Sequence, residues 1–274
     1  MTQTLDLLMR EVHVPRYAVL SYEHARETAP HLRTRLSFTP RSIILFLLPY
    51  YAGETENLSR YAAARDYHRI IRAIGEHIIQ GLQKACPEAS FFTYGDHSPI
   101  DERHAALISG LGIAGDNGLL ITEDYGSYIF IGDVLTDVSA ERLGAVQPQP
   151  IRRCKSCGRC RAACPTGILR GEGNDCLSAI TQRKGTLAPH EIALMREYHT
   201  VWGCDVCQTV CPYNRSPKLT PIPFFREQRI PKLTLSLLDS MDDGAFSERA
   251  FAWRGRGVVR RNLTLLEENA EKGE

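Results

Sequence analysis

Eight of the nine cysteines in this chain lie between Cys154 and Cys211. Cys154, Cys157, Cys160 and Cys164 follow the pattern C-x2-C-x2-C-x3-C, with Pro165 immediately after. That is the ligand run of ferredoxin-type 4Fe-4S proteins, in which the fourth cysteine serves the neighbouring cluster. The two-residue spacings let three thiolates converge on one cuboidal cluster, and the fourth cysteine has turned toward another site. Proline ends the loop because it has no N–H to continue a regular ladder. A second motif, "GCDVCQTVCPYN", supplies Cys204, Cys207 and Cys211 before Pro212 and is one ligand short. Cys176 in "GNDCLSAI" is the cysteine that remains in this half. Counting then assigns Cys154, Cys157, Cys160 and Cys211 to one cluster, and Cys164, Cys176, Cys204 and Cys207 to the other.

Zinc is the rival metal, since two C-x2-C pairs alone suit a zinc ribbon. Eight cysteines with two separate C-x3-C-P endings fit two iron–sulfur clusters better. Cys86, alone in the first half, reads as a small buried hydrophobe. The surrounding chain is ordinary: 274 residues, 43% hydrophobic, 24% charged, formal net charge +1. That composition excludes a disordered chain and any global pull toward polyanions. The N-terminus, "MTQTLDLLMREVHVPRY", has no basic region followed by an apolar run, so no signal peptide is expected. The longest apolar stretch, "SIILFLLPYYA", is too short for a membrane span. A cytoplasmic protein, monomeric by default, is the expectation, and reducing conditions there speak against disulfides.

Outside the cysteines, several segments resemble the epoxyqueuosine reductase family, cobalamin-dependent iron–sulfur enzymes of tRNA modification. They are "YAAARDYHRIIR" (Tyr61 to Arg72), "DHSPIDERHAALISGLGIAGDNGLLI" (Asp96 to Ile121) and "GSYIFIGDVLTD" (Gly126 to Asp137), followed by both cysteine motifs and "VVRRNLTLL". The resemblance covers roughly residues 40–268. It implies a corrinoid-binding domain of nitroreductase-like topology, shared with reductive dehalogenases, and base-off cobalamin beside two 4Fe-4S clusters. It implies reductive removal of the epoxide oxygen of epoxyqueuosine in tRNA, with Asp96 as proton donor. Tyr67, His68, His97, Gly112, Gly115, Asn117, Thr136 and Asp205 are the cobalamin contacts expected on the same basis. An external donor such as flavodoxin or ferredoxin would supply electrons.

The residues themselves agree in part. Removing an epoxide oxygen needs two electrons and proton delivery, and a carboxyl whose pKa is raised by burial can donate. Asp96 follows a predicted strand, where α/β sites lie; the plainer reading is an Asx turn before "SP". "GLGIAGDNG" could let backbone approach a large flat cofactor or be a simple turn, and it does not match a dinucleotide fingerprint. Tyr67 and His68 could face a corrin or be ordinary helix residues. The chain departs from the family where tryptophan and lysine often occupy the glycine turn: Ile113, Ala114 and Asp116 stand there. Family members also often carry helical repeats after the cluster domain, and the sequence ends before any. Binding of tRNA is therefore expected to be weak, salt-sensitive and dominated by phosphates, through Arg152, Arg153, Lys155, Arg159 and Arg161 and through Arg254, Arg256, Arg260 and Arg261. Two other functions compete: a corrinoid iron–sulfur reductase of another small substrate, and a non-enzymatic two-cluster electron carrier.

The elements that must position these groups follow from periodicity. Residues 3–11 read as a helix, and "RYAVLSY" and "RSIILFLLPY" as strands. A long helix follows, capped by Asn57 or Ser59, with Ile70, Ile71, Ile74, Ile78, Ile79 and Leu82 at helical spacing. "SFFTY" reads as a strand and Asp101 to Ser109 as a helix. "LLIT" and "SYIFIGDVLTD" read as a strand pair around "EDYG". "GAVQPQPIRR" reads as a linker and "RRNLTLLEENAEK" as a final helix. The fold class is α/β (α+β): a nitroreductase-like corrinoid-binding domain at 1–145, a two-cluster ferredoxin-like domain at 146–220, and a C-terminal extension at 221–274 ending in a helix.

Overall fold

The computed structural model describes residues 1–270. The chain forms two compact units, and neither is one continuous segment.

The first unit comprises Met1–Tyr50, His68–Ser156 and Pro217–Ile222. Its sheet is built from β1 (Arg16–Ser21), β2 (Ser42–Pro49) and β3 (Phe91–Gly95), joined by a fourth strand that arrives later in the chain. Between them come two short strands, β4 (Ile113–Ala114) and β5 (Leu120–Ile121), which pair only with each other. The fourth strand, β6 (Ile129–Thr136), inserts between β2 and β3 in the order β1-β2-β6-β3, and every pairing is antiparallel. The sequence expectation of a pair between "LLIT" and "SYIFIGDVLTD" is therefore corrected. β6 matches β2 over eight residues, Ser42 to Pro49, and that long apolar register outcompetes a local hairpin with a two-residue strand. All eight positions of β2 are buried.

The four helices of this unit are α1 (Thr2–Glu11), α2 (Tyr67–Ala85), α3 (Glu102–Ile108) and α4 (Ala140–Leu143). Successive strand residues face opposite sides. Phe46 and Gly132 face α2, and Leu45 clusters with Ala105 and Ala106 of α3 on the other side. The result is three layers, with the sheet between α2 and α3. α2 approaches closely because Gly75 and Gly132 carry no side chain: a Cβ on Gly75 would sit 2.0 Å from Thr93 Oγ1, and one on Gly132 2.5 Å from the Phe46 ring. The helix starts at Tyr67, so Asn57 and Ser59 do not cap it. The "linker" is also no free tether: Val146 N–H bonds Val19 (2.9 Å) and Gln149 N–H bonds Ile108 (2.7 Å), both within this unit.

The second unit comprises Tyr51–Tyr67, Cys157–Ser216 and the chain from Pro223 onward. It therefore takes in the segment 51–67, ahead of the expected boundary at 145, and it does not separate the C-terminal extension from the cysteine region. Its described residues contain no strand of the kind that builds the first unit. Short helices do the work: α5 (Arg159–Ala162), α6 (Leu177–Thr181), α7 (Pro189–Glu197), α8 (Val206–Thr209), α9 (Leu235–Ser240), α10 (Asp243–Ser247) and α11 (Arg256–Ala270). The predicted final helix thus exists, although its last two residues lie outside the described residues. Trp202, Phe251, Val259 and Leu263 pack with Leu58 and Leu238 in its core. Long-range amides tie its loops. The Asn57 side chain donates to Leu233 O (2.7 Å) and accepts from Leu233 N–H (2.9 Å). Asn262 donates to both Thr181 O (2.7 Å) and Val201 O (2.8 Å). Among the described residues no helix is long and apolar enough to cross a membrane.

Candidate functional site

In the second unit the cysteine loops are shaped by residues that tolerate left-handed backbone. Gly158 caps α5 at φ +75° inside "CGRC". Gly203, at φ +78°, turns the chain into "CDVC", and a Cβ there would lie 2.4 Å from Ser59 Cβ. Cys157 is exposed, Cys160 and Cys164 are buried, and Cys204, Cys207 and Cys211 are half-buried. Cys164, Cys176 and Cys204 lie close enough to feel each other's charge. Cys204 is pushed up to about 12, first by burial and then by Cys176, Asp205 and Cys164. Burial also raises Cys164, yet the amides of Leu169, Thr166 and Gly167 and the Thr166 hydroxyl together hold it below its ordinary value. A sulfur wrapped in N–H donors is stabilised as a thiolate, the form that binds iron. Cys86 is buried at the end of α2 and donates to Glu88 (2.9 Å), away from this group of sulfurs in sequence and in unit.

In the first unit a groove of about 470 Å³ opens at the end of β3. Arg35, His68, Ile71, Arg72, Phe92, Tyr94 and His97 contribute to its walls. Asp96 follows directly after β3 at φ +64°, a left-handed backbone that asparagine and aspartate reach more readily than most residues. Its side chain is 64% exposed, and its Oδ2 stands 3.6 Å from His68 Nε2 at the start of α2. Its backbone N–H donates to Glu102 Oε1 (3.3 Å). His68, Asp96 and His97 are thus brought together at one mouth, with two arginines on the same walls.

A model described as "Epoxyqueuosine reductase QueG, DUF1730" matches residues 33–96, the stretch that carries Arg35, His68, Arg72 and Asp96. A model described as "4Fe-4S double cluster binding domain" matches residues 153–214, the stretch that carries all eight clustered cysteines. The curated epoxyqueuosine reductase of Gloeobacter violaceus is 32% identical over 238 residues, covering 81% of this chain and 72% of the relative. The chain belongs to the epoxyqueuosine reductase family. The Lactococcus garvieae epoxyqueuosine reductase is 31% identical over 226 residues, and there the alignment covers 78% of this chain and 62% of the relative. The chain therefore spans less than two thirds of that relative's length. A solved structure of epoxyqueuosine reductase with a tRNA-Tyr epoxyqueuosine-modified tRNA stem loop matches at TM-score 0.77 and 23% identity, covering 96% of this chain and 80% of that one. That likeness speaks for the fold.

Within this epoxyqueuosine reductase family member, the other expected cofactor contacts are placed differently. Thr136 pairs with Phe91 at the far end of β3 from Asp96, five residues or about 17 Å along the chain. It is fully buried and accepts from Val138 N–H (3.1 Å). Gly112 and Gly115 are explained by the chain's own atoms: a Cβ would stand 2.6 Å from Ile121 O at one and 2.4 Å from Asn117 Oδ1 at the other. Asn117 Oδ1 accepts from Leu119 N–H (3.3 Å), closing the β4–β5 turn. Asp205, in the second unit, accepts from Ser59 Oγ (2.5 Å) and from Arg60 N–H (2.7 Å) and guanidinium (3.2 Å). Tyr67 sets its ring edge-on to Tyr61, centroids 6.3 Å apart.

Several tail arginines expected on phosphates are also engaged. Arg256 donates to Leu238 O (2.6 Å), Arg260 pairs with Asp239, and Arg261 donates to Arg183 O (2.8 Å). Arg254 stacks over the exposed Trp253 ring at 3.7 Å. Sequence reasoning missed Arg35 and Arg72 on the groove, and it missed two acidic groups behind it, Glu102 and Asp133. The usable signal was Asp133 itself, an acidic residue inside the otherwise apolar strand "IFIGDVLT".

Proposed function

We propose that this protein removes the epoxide oxygen of epoxyqueuosine in tRNA, with cobalamin at the groove of the first unit and two 4Fe-4S clusters in the cysteine region. The observation that carries the reading is the meeting of Asp96 and His68 at 3.6 Å on a groove walled by Arg35, Arg72 and His97. The eight cysteines supply eight ligands: Cys154, Cys157, Cys160 and Cys211 for one cluster, and Cys164, Cys176, Cys204 and Cys207 for the other. The donor-rich surroundings of Cys164 suit such a ligand. Bound cobalamin would supply strongly reducing chemistry at the substrate. Of the expected cobalamin contacts, His68 and His97 line this groove and would hold the cofactor there. Asp96 holds the proton for the departing oxygen, and His68 fixes the direction of its carboxyl. Arg35 and Arg72 are placed for tRNA phosphates, in keeping with the stem loop bound to the solved relative. Electrons enter from an external protein such as flavodoxin or ferredoxin at the loop where Cys157 is exposed. The cytoplasm is the matching compartment.

The test is anaerobic reconstitution with iron, sulfide and cobalamin. About eight iron per chain and stoichiometric base-off cob(II)alamin are expected. Turnover should then be assayed on epoxyqueuosine-containing tRNA and on the free nucleoside. Asp96→Asn should keep both cofactors and lower turnover roughly 10²–10⁴-fold. Fully loaded wild type that is inactive on both substrates would point to a corrinoid reductase of another substrate. Failure to bind cobalamin at all would favour a plain electron carrier.

A further inference from the structure

Asp133 lies midway along β6, opposite Leu45 on β2 and Tyr94 on β3, on the sheet face covered by α3. It is 0% exposed, and the Ser98 hydroxyl and the Tyr94 N–H stand beside its carboxyl without closing a well-formed hydrogen bond. An ionised carboxylate in that position is costly, and desolvation raises the group to about 7 although Ser98 and the Tyr94 N–H favour its charged form. Glu102 occupies the first turn of α3, directly after the cap residue Asp101. Its carboxyl is half-buried and is raised even further, first by burial and then by Asp133, Asp96 and Asp101. The cations of this region act elsewhere: Arg26 pairs with Asp101, Arg103 donates to Gly118 O, and Arg35 bears on Tyr94. The Tyr94 hydroxyl itself donates to Leu32 O (3.0 Å). Three carboxyls therefore run from the core to the groove: Asp133 fully buried, Glu102 half-buried, and Asp96 exposed, with the Asp96 N–H donating to Glu102.

We propose that Glu102 and Asp133 are a buried proton reserve that recharges Asp96. The proposal rests on the epoxide reading above and deepens it. Converting an epoxide to an alkene breaks two C–O bonds and releases water, so it consumes two electrons and two protons. The electrons come from the external reductant by way of the clusters. Asp96 carries one proton. After Asp96 has given it to the oxygen, its carboxylate takes the proton of Glu102 and delivers the second. Asp133, buried beneath Glu102, stays neutral while Glu102 is a carboxylate, so the pair never holds two charges. Solvent then returns two protons, one to the exposed Asp96 and one to the half-buried Glu102. Asp133 is a positioning residue, because it acts through Glu102.

The experiment has two independent readouts. The first is infrared spectroscopy of cluster-loaded protein at neutral pH without substrate, in the carbonyl region of protonated carboxyls. Wild type should show bands that disappear in Glu102→Gln and in Asp133→Asn. The second is turnover against pH with a strong chemical reductant. Glu102→Gln should lower kcat about 10²-fold with KM unchanged, the fall steepening toward alkaline pH. Asp133→Asn, polar and neutral like the protonated carboxyl it replaces, should retain more activity than Asp133→Leu. If the bands are the same in wild type and both variants, the reserve does not exist, whatever the enzyme's substrate. If the bands behave as expected but Glu102→Gln keeps wild-type kcat and pH profile, the relay is overturned while the epoxide reading stands. If wild type is inactive on epoxyqueuosine, that reading fails, and the infrared result alone decides whether the pair holds protons.

Discussion

The two units solve the problem of holding a reactive group in opposite ways. The first wraps α2 and α3 around a sheet whose central strand is entirely buried, so its groove residues stand on a frame maintained by apolar packing. The second has short helices, loops around its cysteines, and carbonyls tied one by one by Asn57 and Asn262. Its smaller core of Leu177, Ile180, Leu187 and Met195 lies next to half-buried Cys204. A unit of that kind can draw part of its stability from the clusters it binds, because the free energy of metal binding adds to that of folding. On the proposed function, proton delivery would depend on a self-sufficient scaffold, whereas electron delivery would depend on its own cofactor.

Removing the clusters should break the comparison open most widely. Chelation of iron under anaerobic conditions is expected to free amides across residues 157–216 to hydrogen exchange, with β2 and β6 still protected. Uniform loss of protection would show that the two units are one cooperative body. A milder form is Cys176→Ala, which should leave about four iron per chain instead of about eight, because one cluster loses a ligand. Retention of all the iron would overturn the assignment of Cys176.

Next in size are two substitutions that strike each unit in its own currency. Leu45→Ala empties a site at the middle of the first core and should cost about 2–5 kcal/mol while iron content is unchanged. Asn262→Ala strands two buried carbonyls, Thr181 O and Val201 O, and should cost about 2–4 kcal/mol, together with looser cluster binding. Chemical denaturation with parallel iron assays separates the two. Equal iron loss from both variants would erase the distinction.

The smallest effect is a pH dependence confined to the first unit. The Glu102 carboxyl is raised in the folded protein to about 9. Its contribution to stability is therefore most favourable below the ordinary carboxylate range and is lost as pH rises toward that value. Glu102→Gln should flatten the decline between pH 5 and pH 9 by on the order of 2 kcal/mol relative to wild type. Identical Tm-against-pH curves would mean that Glu102 is not protonated by its surroundings.

Much of this protein was written in local pattern. The C-x2-C-x2-C-x3-C-P run, its shorter partner and the orphan Cys176 announce two clusters because ligand spacing is a property of single loops. "SIILFLLP" announces a buried strand, and Asp101 caps α3 where the sequence predicted a helix to begin, accepting from His104 N–H at 2.8 Å. What the tertiary structure alone decided is which distant segments meet. β6 chose β2 rather than the nearby "LLIT", because eight pairings, most of them apolar, outweigh a short local turn. Asn57 and Ser59, good caps in isolation, were taken by Leu233 and Asp205 in the second unit. Gly112 and Gly115 serve the β4–β5 turn through contacts that no periodicity encodes. The line of carboxyls from Asp133 through Glu102 to Asp96 arises from a strand, a helix start and a loop drawn from separate parts of the chain. The pKa values of Asp133 and Glu102 depend on burial and on neighbouring charges, and a linear sequence specifies neither until the chain has folded.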